Sequence, residues 1–394
     1  MSVATGWDRK LRGRLLVLGL ALFVYLTAEM FPVGALPEIA AGLDLRQSTA
    51  GLLLSGYAIA AGLAAIPVVV WLSGRDRRTV LVGSMILLAV SQVALAAAPT
   101  FEAAMLSRVV AAVAHGYVWA VVPVAAASLA PDGAKGRATA AVFVGSAAGL
   151  VIGSPVSAAL SQAFGWRAAA AVLAISAGVV AVLIRRVLPR LPGRPSGSVA
   201  SRSSAQALPW RRLGAICGIT AMVAIAHYVS YTYFALLVEP VGITGSRYAV
   251  LLAAYGVAGL VGVRLVGRYI DRFNRGTGVV LFVVFAVSLA GLGPALMGGA
   301  AVVAVVLVLL WAASFSAAPA VLQDTVLRIA PDHGDTASAV YVVGFSLGIA
   351  IGSAAGAAAL GPLSAAELPV LSAALAVAAL ALVIRGVRPP ARVT

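Results

Sequence analysis

The chain has 394 residues, of which 62% are hydrophobic and only 10% are charged, and its mean hydropathy is +1.03. Soluble domains are about half apolar and about a quarter charged, so the composition excludes a soluble protein and predicts an integral membrane protein. The net charge of +15 does not predict nucleic-acid binding, because the basic residues lie almost entirely in short segments between apolar runs.

Twelve apolar segments are long enough to cross a membrane as helices. In chain order they are 15–41, 48–72, 79–98, 101–130, 137–163, 168–188, 211–238, 246–267, 277–296, 300–330, 335–359 and 367–386. We predict an all-α membrane protein of two six-helix bundles, residues 1–188 and 211–394, around a central cavity. The linker 189–210 is rich in Pro, Ser, Gly and Arg, which is typical of a flexible tether.

The distribution of charge predicts the topology. Of the 28 Lys and Arg residues, 24 lie in the termini, the linker and the even-numbered connections. The opposite loops hold only Arg46, Arg167 and Arg247, so both termini are expected in the cytoplasm. The basic N-terminus runs into a segment too long for a signal peptide, and the single Cys217 permits no internal disulfide. The sequence carries no phosphate loop and no metal-ligand spacing, so no cofactor or metal is expected.

The two halves repeat each other at a nearly constant offset. Tyr57 corresponds to Tyr255 and Arg77 to Arg275 at offset 198, and Ala-Pro-Asp at 130–132 recurs at 330–332. The glycines 145, 149 and 153 recur at 344, 348 and 352. Parallel repeats place a transporter's substrate site at their interface, so we expect the cavity to be lined by the first and fourth helices of each half.

A buried carboxylate is the centre of the predicted chemistry. Glu29 lies within the first apolar segment, where an ionised acid must find a cavity, a cation or a proton. Arg108 enters the fourth segment at a similar depth, and we expect it to pair with Glu29. His115 follows two helical turns later on the same face and is a candidate proton carrier. The alternative for the acid and the arginine is a static ion pair between two helices.

The predicted substrate contacts combine aromatic and polar side chains. At offset 198 His227 stands opposite Glu29. The proposed lining consists of Tyr25, His115, Trp119, His227, Tyr228, Tyr231, Trp311, Ser314 and Tyr341. An interfacial tyrosine belt is the alternative for the tyrosines of the seventh segment, and a satisfied polar group is the alternative for His115.

A further set of residues is predicted to act in gating. Gly149 and Gly153, followed by Pro155, have a spacing that allows helices to approach closely. Between the eighth and ninth segments, Asp271, Arg272 and Arg275 predict a latch at the cytoplasmic helix ends. Arg77 and Arg78 occupy the corresponding connection of the first half.

These residues resemble the major facilitator superfamily. Gly267, Asp271, Arg272 and Arg275 are similar to its loop motif, and the first half carries a degenerate copy with Ser73 where an acid is expected. Arg108 matches the fourth-helix arginine of the drug:proton antiporter branch. The fifth-segment glycines resemble the antiporter motif, although Pro155 stands two places after Gly153 instead of one.

The more specific resemblance is to SotB-like sugar efflux transporters. It rests on Thr27-Ala28-Glu29 with Pro32-Val33-Gly34, on Ser107-Arg108 with Ala114-His115 and Trp119, and on Ala226-His227-Tyr228 with Tyr231. The resemblance implies proton-driven export of sugars such as arabinose, or of thiogalactosides. Related exporters handle chloramphenicol and other drugs.

The sequence therefore predicts a proton-coupled efflux transporter, and no enzyme, that exports sugars or sugar-like molecules by alternating access. A multidrug or chloramphenicol-type antiporter is the alternative, and an uptake symporter, a uniporter and a membrane sensor are further alternatives. The expected partners are a small-molecule substrate, protons and the lipid bilayer, without nucleic acid. A monomer in a bacterial inner membrane is expected.

Overall fold

A computed structural model describes residues 7–72, 74–131, 134–193, 209–330 and 334–386. The helices are α1 Arg9–Gly34, α2 Leu36–Gly42, α3 Gln47–Leu72, α4 Arg77–Ala96, α5 Phe101–Val113, α6 His115–Leu129, α7 Lys135–Ala148, α8 Ser154–Phe164, α9 Trp166–Val187, α10 Trp210–Tyr231, α11 Phe234–Val238, α12 Gly245–Met297, α13 Ala301–Ile329, α14 Gly334–Ala359 and α15 Leu368–Gly386. Within the described ranges, 12 helical segments are long and apolar enough to span a membrane. The predicted all-α fold with twelve spans is confirmed.

Polar side chains begin several of these helices by accepting hydrogen bonds from otherwise unpaired main-chain N–H groups. Asp8 accepts from Leu11 N at 2.6 Å at the start of α1, and Asp76 accepts from Thr79 N at 2.9 Å at the start of α4. Thr100 plays the same part for α5. Each cap marks the point where a loop enters an apolar segment.

The first span of each half ends in a short break. α1 leaves helical geometry at Ala35, and α2 restarts with Pro37 in its first turn, where a missing N–H costs nothing. α10 ends at Tyr231, and α11 restarts after Tyr233, the residue at offset 198 from Ala35. The single helices predicted over 15–41 and 211–238 are therefore each divided near the same repeat position.

α12 is continuous for 53 residues and contains both the eighth and the ninth span. The connection predicted at 267–275 is thus helical and does not form a loop. This segment contains no proline, so no residue in it removes a helical hydrogen-bond donor. The side chains of 267–277, and with them the predicted latch of Asp271, Arg272 and Arg275, lie outside the described part of the structure.

The chain forms two compact units, Met1–Asp44 with Ala60–Arg202, and Leu45–Ile59 with Ser203–Thr394. In the first unit α1 packs against α7 and α9, and α4 packs against α5 and α9. In the second unit α10 packs against α14 and α15, and α12 packs against α13 and α15. The helix pairs correspond across the repeat, so the packing supports the internal duplication read from the sequence.

The first helix of each half is the most enclosed span of its unit. The apolar window of α1 is 83% buried and that of α10 is 67% buried, whereas the windows of several outer spans are between 33% and 44% buried. Outer helices expose large apolar side chains, such as Leu63, Ile175 and Val302. Lipid solvates such surfaces, so the polar residues on α1 and α10 lie on the interior helices.

Candidate functional site

Arg108 lies at the contact between α5 and α1 and is completely buried. Its Nη1 donates to the main-chain oxygen of Ala28 at 2.6 Å, and its Nη2 donates to that of Glu29 at 2.8 Å. The oxygen of Ala28 would ordinarily accept from the residue four positions later, which is Pro32 and has no N–H. The guanidinium therefore supplies the hydrogen bond that the proline removes from α1.

The carboxylate of Glu29 faces the start of α6. Its Oε2 lies 3.8 Å from Nδ1 of His115, and both residues are buried. The chain leaves helical geometry at Ala114, and His115 is the first residue of α6. A buried acid next to an imidazole is an arrangement in which a proton has two acceptors within a few ångströms.

Tyr25 and Trp119 border this pair. Tyr25 Oη donates to the main-chain oxygen of Ala111 at 3.3 Å, and its ring meets that of His115 edge-on with centroids 6.2 Å apart. The ring of Trp119 lies 5.9 Å from that of His115. The residues predicted in the first half thus come together, and we call Tyr25, Glu29, Arg108, His115 and Trp119 the Glu29 cluster.

In the second unit, His227 stands at the centre of a group of aromatic rings. Nε1 of Trp311 donates to Nδ1 of His227 at 3.0 Å. Phe315 stacks on the imidazole with centroids 3.4 Å apart and planes at 1°, and Tyr231 stacks at 4.6 Å. The ring of Tyr228 meets the imidazole edge-on at 4.7 Å. We call these five residues the His227 cluster.

The sequence reasoning missed two members of this environment. Phe315 follows Trp311 by four residues on α13, a spacing that puts both on one helix face. Tyr255 was noted only as a repeat match, but its ring lies 5.1 Å from Tyr231 and 5.7 Å from Trp311. Helical spacing could have identified Phe315, whereas Tyr255 comes from a different helix and only the fold brings it here.

Two predicted lining residues have other partners. The hydroxyl of Ser314 donates to the oxygens of Leu310 and Trp311 in its own helix, at 2.8 and 3.0 Å. Serines within helices commonly bind the preceding turn in this way. Tyr341 Oη donates to the main-chain oxygen of Pro319 at 3.3 Å, and its ring stacks on Phe345 at 6.2 Å.

The predicted gating residues of the first half tie the start of α4 to the end of α9. Asp76 Oδ1 accepts from Leu191 N at 2.7 Å, and Arg77 N donates to Leu191 O at 2.8 Å. Arg78 Nη1 donates to Leu188 O at 3.2 Å. Burial acts to raise the pKa of the Asp76 carboxyl, but hydrogen bonds from Thr79 and Leu191 outweigh it and hold this pKa below its usual value.

The predicted glycine stripe lies directly on α1. A β-carbon at Gly149 would lie 3.1 Å from Phe23 O, and one at Gly153 would collide with Thr27 Oγ1. Residues Gly149–Gly153 form a π-helical turn between α7 and α8, and Pro155 enters at the first turn of α8. The stripe brings α7 and α8 close to the helix that carries Glu29, while the expected role in gating stays a prediction.

Comparison with known proteins agrees with this architecture. The family model of the Major Facilitator Superfamily matches residues 18–353. A chloramphenicol efflux pump of Mycobacterium tuberculosis, found in strains CDC 1551 / Oshkosh and H37Rv, is 37% identical over 363 residues, which cover 89% of this chain and 86% of the pump.

Solved structures share the fold at low sequence identity. A D-xylose-proton symporter is 18% identical with a TM-score of 0.77, covering 96% of this chain and 98% of the symporter. A bacterial homologue of the human lysosomal transporter Spinster, in an inward-facing and occupied conformation, is 15% identical with a TM-score of 0.76, covering 97% of each chain. Together with the matched family model, these findings show that the chain belongs to the Major Facilitator Superfamily of membrane transporters.

Proposed function

We propose that the protein is a proton-coupled exporter of amphipathic drugs of the chloramphenicol type. The observation that carries this proposal is the 37% identity to a chloramphenicol efflux pump over 89% of the chain. It favours drug export, the alternative in the sequence analysis, over sugar export. The aromatic His227 cluster fits this class, because flat apolar ligands gain contact area on aromatic faces.

The Glu29 cluster supports the coupling to protons. A carboxylate that is 6% exposed within a membrane span must be compensated by a cation or take up a proton. The separation of 3.8 Å from His115 is longer than a hydrogen bond, and a shift of about 1 Å would close it. Protonation of Glu29 would then change its contacts with α6, and so bias the transporter between two conformations.

Arg108 can keep its contacts with α1 in both protonation states of Glu29. Its two hydrogen bonds go to main-chain oxygens of α1, which keep their partial charge whether or not the Glu29 side chain is protonated. We propose that a proton enters Glu29 from the outside and leaves it to the cytoplasm, where substrate then binds. Both termini are proposed to lie in the cytoplasm of a bacterial cell, with the protein in the inner membrane.

Export from cells and reconstituted vesicles tests the proposal. Cells that lack their own drug exporters should accumulate less chloramphenicol when they express the protein, and an uncoupler should abolish the difference. Proteoliposomes with an imposed pH gradient should move chloramphenicol against its concentration gradient, whereas arabinose and thiogalactosides serve as the comparison panel. Counterflow without any response to pH would identify a uniporter, and binding without flux would identify a sensor. Either result would overturn the proposal.

A further inference from the structure

The tautomer of His227 is fixed by its neighbour. The indole Nε1 of Trp311 can only donate a hydrogen bond, and it lies 3.0 Å from Nδ1 of His227. Nδ1 must therefore be the acceptor and carries no proton. In the neutral imidazole the proton then sits on Nε2, so His227 presents one N–H donor, and protonating the ring would break the bond to Trp311.

Among the residues that the structure describes, those around His227 offer a positive charge no counter-ion. The ring is packed against the aromatic rings of Phe315, Tyr231, Tyr228 and Trp311, and the His227 cluster contains no carboxylate. His227 is 2% exposed. A charged imidazole in such a place would be costly, so packing and hydrogen bonding both favour the neutral ring.

One buried donor in this group lacks an acceptor among the described residues. The Oη of Tyr255, which belongs to a side chain that is 5% exposed, has no hydrogen-bond partner there, and the bond from Trp311 engages Nδ1 of His227, not Nε2. The Tyr255 ring contacts two members of the cluster, Tyr231 and Trp311. Buried polar atoms are nearly always paired, so the unpaired hydroxyl of Tyr255 points to an acceptor that the described residues do not supply, and the Nε2–H of His227 is a second donor in the same group.

We infer that the His227 cluster, with Tyr255, binds the neutral aromatic part of a substrate and donates hydrogen bonds to an uncharged acceptor on that ring, such as a nitro oxygen. This inference rests on the proposed function and assigns the substrate class that the site selects. Donors that carry no charge favour a neutral acceptor, and aromatic faces favour a planar group. The rings are closely packed here, so ligand would reach the donors in a conformation in which they have parted.

The tautomer is tested without any ligand. The chain has 3 histidines, so protein labelled with ¹⁵N-histidine gives few nitrogen signals, and His227→Gln assigns the one required. At pH 7 this signal should show an unprotonated Nδ1 and a protonated Nε2. Trp311→Phe should release the ring to a mixture of tautomers, whereas the control Trp210→Phe, at an exposed position, should leave the signal unchanged. A protonated Nδ1 in the unsubstituted protein would overturn the inference.

Binding of matched ligands tests the substrate class. Chloramphenicol and its analogue without the nitro group are compared on purified protein, together with a tetraphenylphosphonium cation as competitor. Tyr255→Phe and His227→Phe should each weaken chloramphenicol binding up to about tenfold, the size of one hydrogen bond. Both variants should weaken binding of the analogue less than that of chloramphenicol, and His227→Gln, which keeps an N–H donor, should retain most of the affinity for chloramphenicol.

The possible outcomes separate this inference from the proposed function. Equal losses for chloramphenicol and the analogue would reduce His227 and Tyr255 to packing residues and overturn the inference, even where export of chloramphenicol is intact. Tighter binding of the phosphonium cation than of every neutral aromatic tested would overturn the selection of neutral ligands. Failure of the unsubstituted protein to export chloramphenicol would contradict the proposed function, whereas the tautomer result would stand on its own.

Discussion

Arg108 donates a hydrogen bond of 2.6 Å to the main-chain oxygen of Ala28, the oxygen that Pro32 leaves without its helical donor. A second bond of 2.8 Å reaches the oxygen of Glu29. Arg108 of the fourth span thus replaces the missing helical hydrogen bond of the first span, in the turn that carries Glu29.

This relationship predicts a coupling between two substitutions. Arg108→Ala should lower the stability of the protein by about 2–4 kcal/mol, because two buried carbonyls lose a charged donor. In a Pro32→Ala background the restored N–H can donate to the oxygen of Ala28, so Arg108→Ala should lower the stability by a smaller amount. Thermal unfolding in detergent of the two single variants and the double variant measures the difference.

A second proline provides the matched control for this cycle. Pro123 lies inside α6, where its missing N–H concerns the main-chain oxygen of Trp119. The changes in stability caused by Pro123→Ala and Arg108→Ala should therefore be additive in the double variant. If the cycle with Pro32 is also additive, the guanidinium does not substitute for the missing N–H.

Replacement of Glu29 should abolish proton coupling while leaving substrate exchange across the membrane intact. Glu29→Gln keeps the shape of the side chain and removes its ionisation, so we expect a folded protein with counterflow intact. Uphill export driven by a pH gradient should fall at least about tenfold, because the proton-binding group is missing. Glu102→Gln is the control, since Glu102 is an exposed acid in the first turn of α5. Uphill export by the Glu29→Gln protein would remove Glu29 from the coupling step.

Much of the Glu29 cluster could be predicted because helical geometry is local. The seven residues from Arg108 to His115 and the four from His115 to Trp119 keep the three on one side of the fourth span, and hydrophobicity set the depth of Glu29. The number of spans followed from the length of the apolar runs for the same reason. Each of these inferences uses only neighbours within one helix.

The features that the sequence did not predict are contacts between helices. The bonds from the Arg108 guanidinium to main-chain oxygens of α1 were not predicted, because they depend on the acceptor that Pro32 leaves free, whereas the expected pairing of Arg108 with the Glu29 side chain stays a prediction. Tyr255 reaches Trp311 from another helix, and a single sequence does not specify such a contact.

The Asp76 connection should make stability depend on pH in a defined direction. Hydrogen bonds from Thr79 and Leu191 hold the pKa of Asp76 below that of an unfolded aspartate, about 3.9. The ionised Asp76 carboxylate therefore contributes its full stabilisation of the folded state above the pKa of the unfolded state. This stabilisation is lost as the pH falls through the lower pKa of the folded state. Asp76→Asn should be less stable than the unsubstituted protein at pH 6, and the gap should narrow below about pH 4. A gap that widens on acidification would mean that the sign of this pKa shift is wrong.

An added β-carbon would meet a different neighbour at the glycine stripe in each half of the repeat. A β-carbon at Gly153 would collide with the side chain of Thr27, whereas one at Gly352 would lie 2.8 Å from the main-chain oxygen of Ile225. Alanine at either glycine should destabilise the protein by about 1–3 kcal/mol through overpacking. Gly178→Ala is the control, because open space surrounds that position and alanine favours the helix.

The difference between the two neighbours can be tested by compensation. Thr27→Ala removes the hydroxyl and methyl groups that face Gly153, so it should recover part of the stability lost in Gly153→Ala, as measured by thermal unfolding. Shortening Ile225 to Ala leaves its main-chain oxygen in place, so it should recover nothing in Gly352→Ala. Equal recovery of stability at both sites would contradict this distinction between a side-chain contact at Gly153 and a main-chain contact at Gly352.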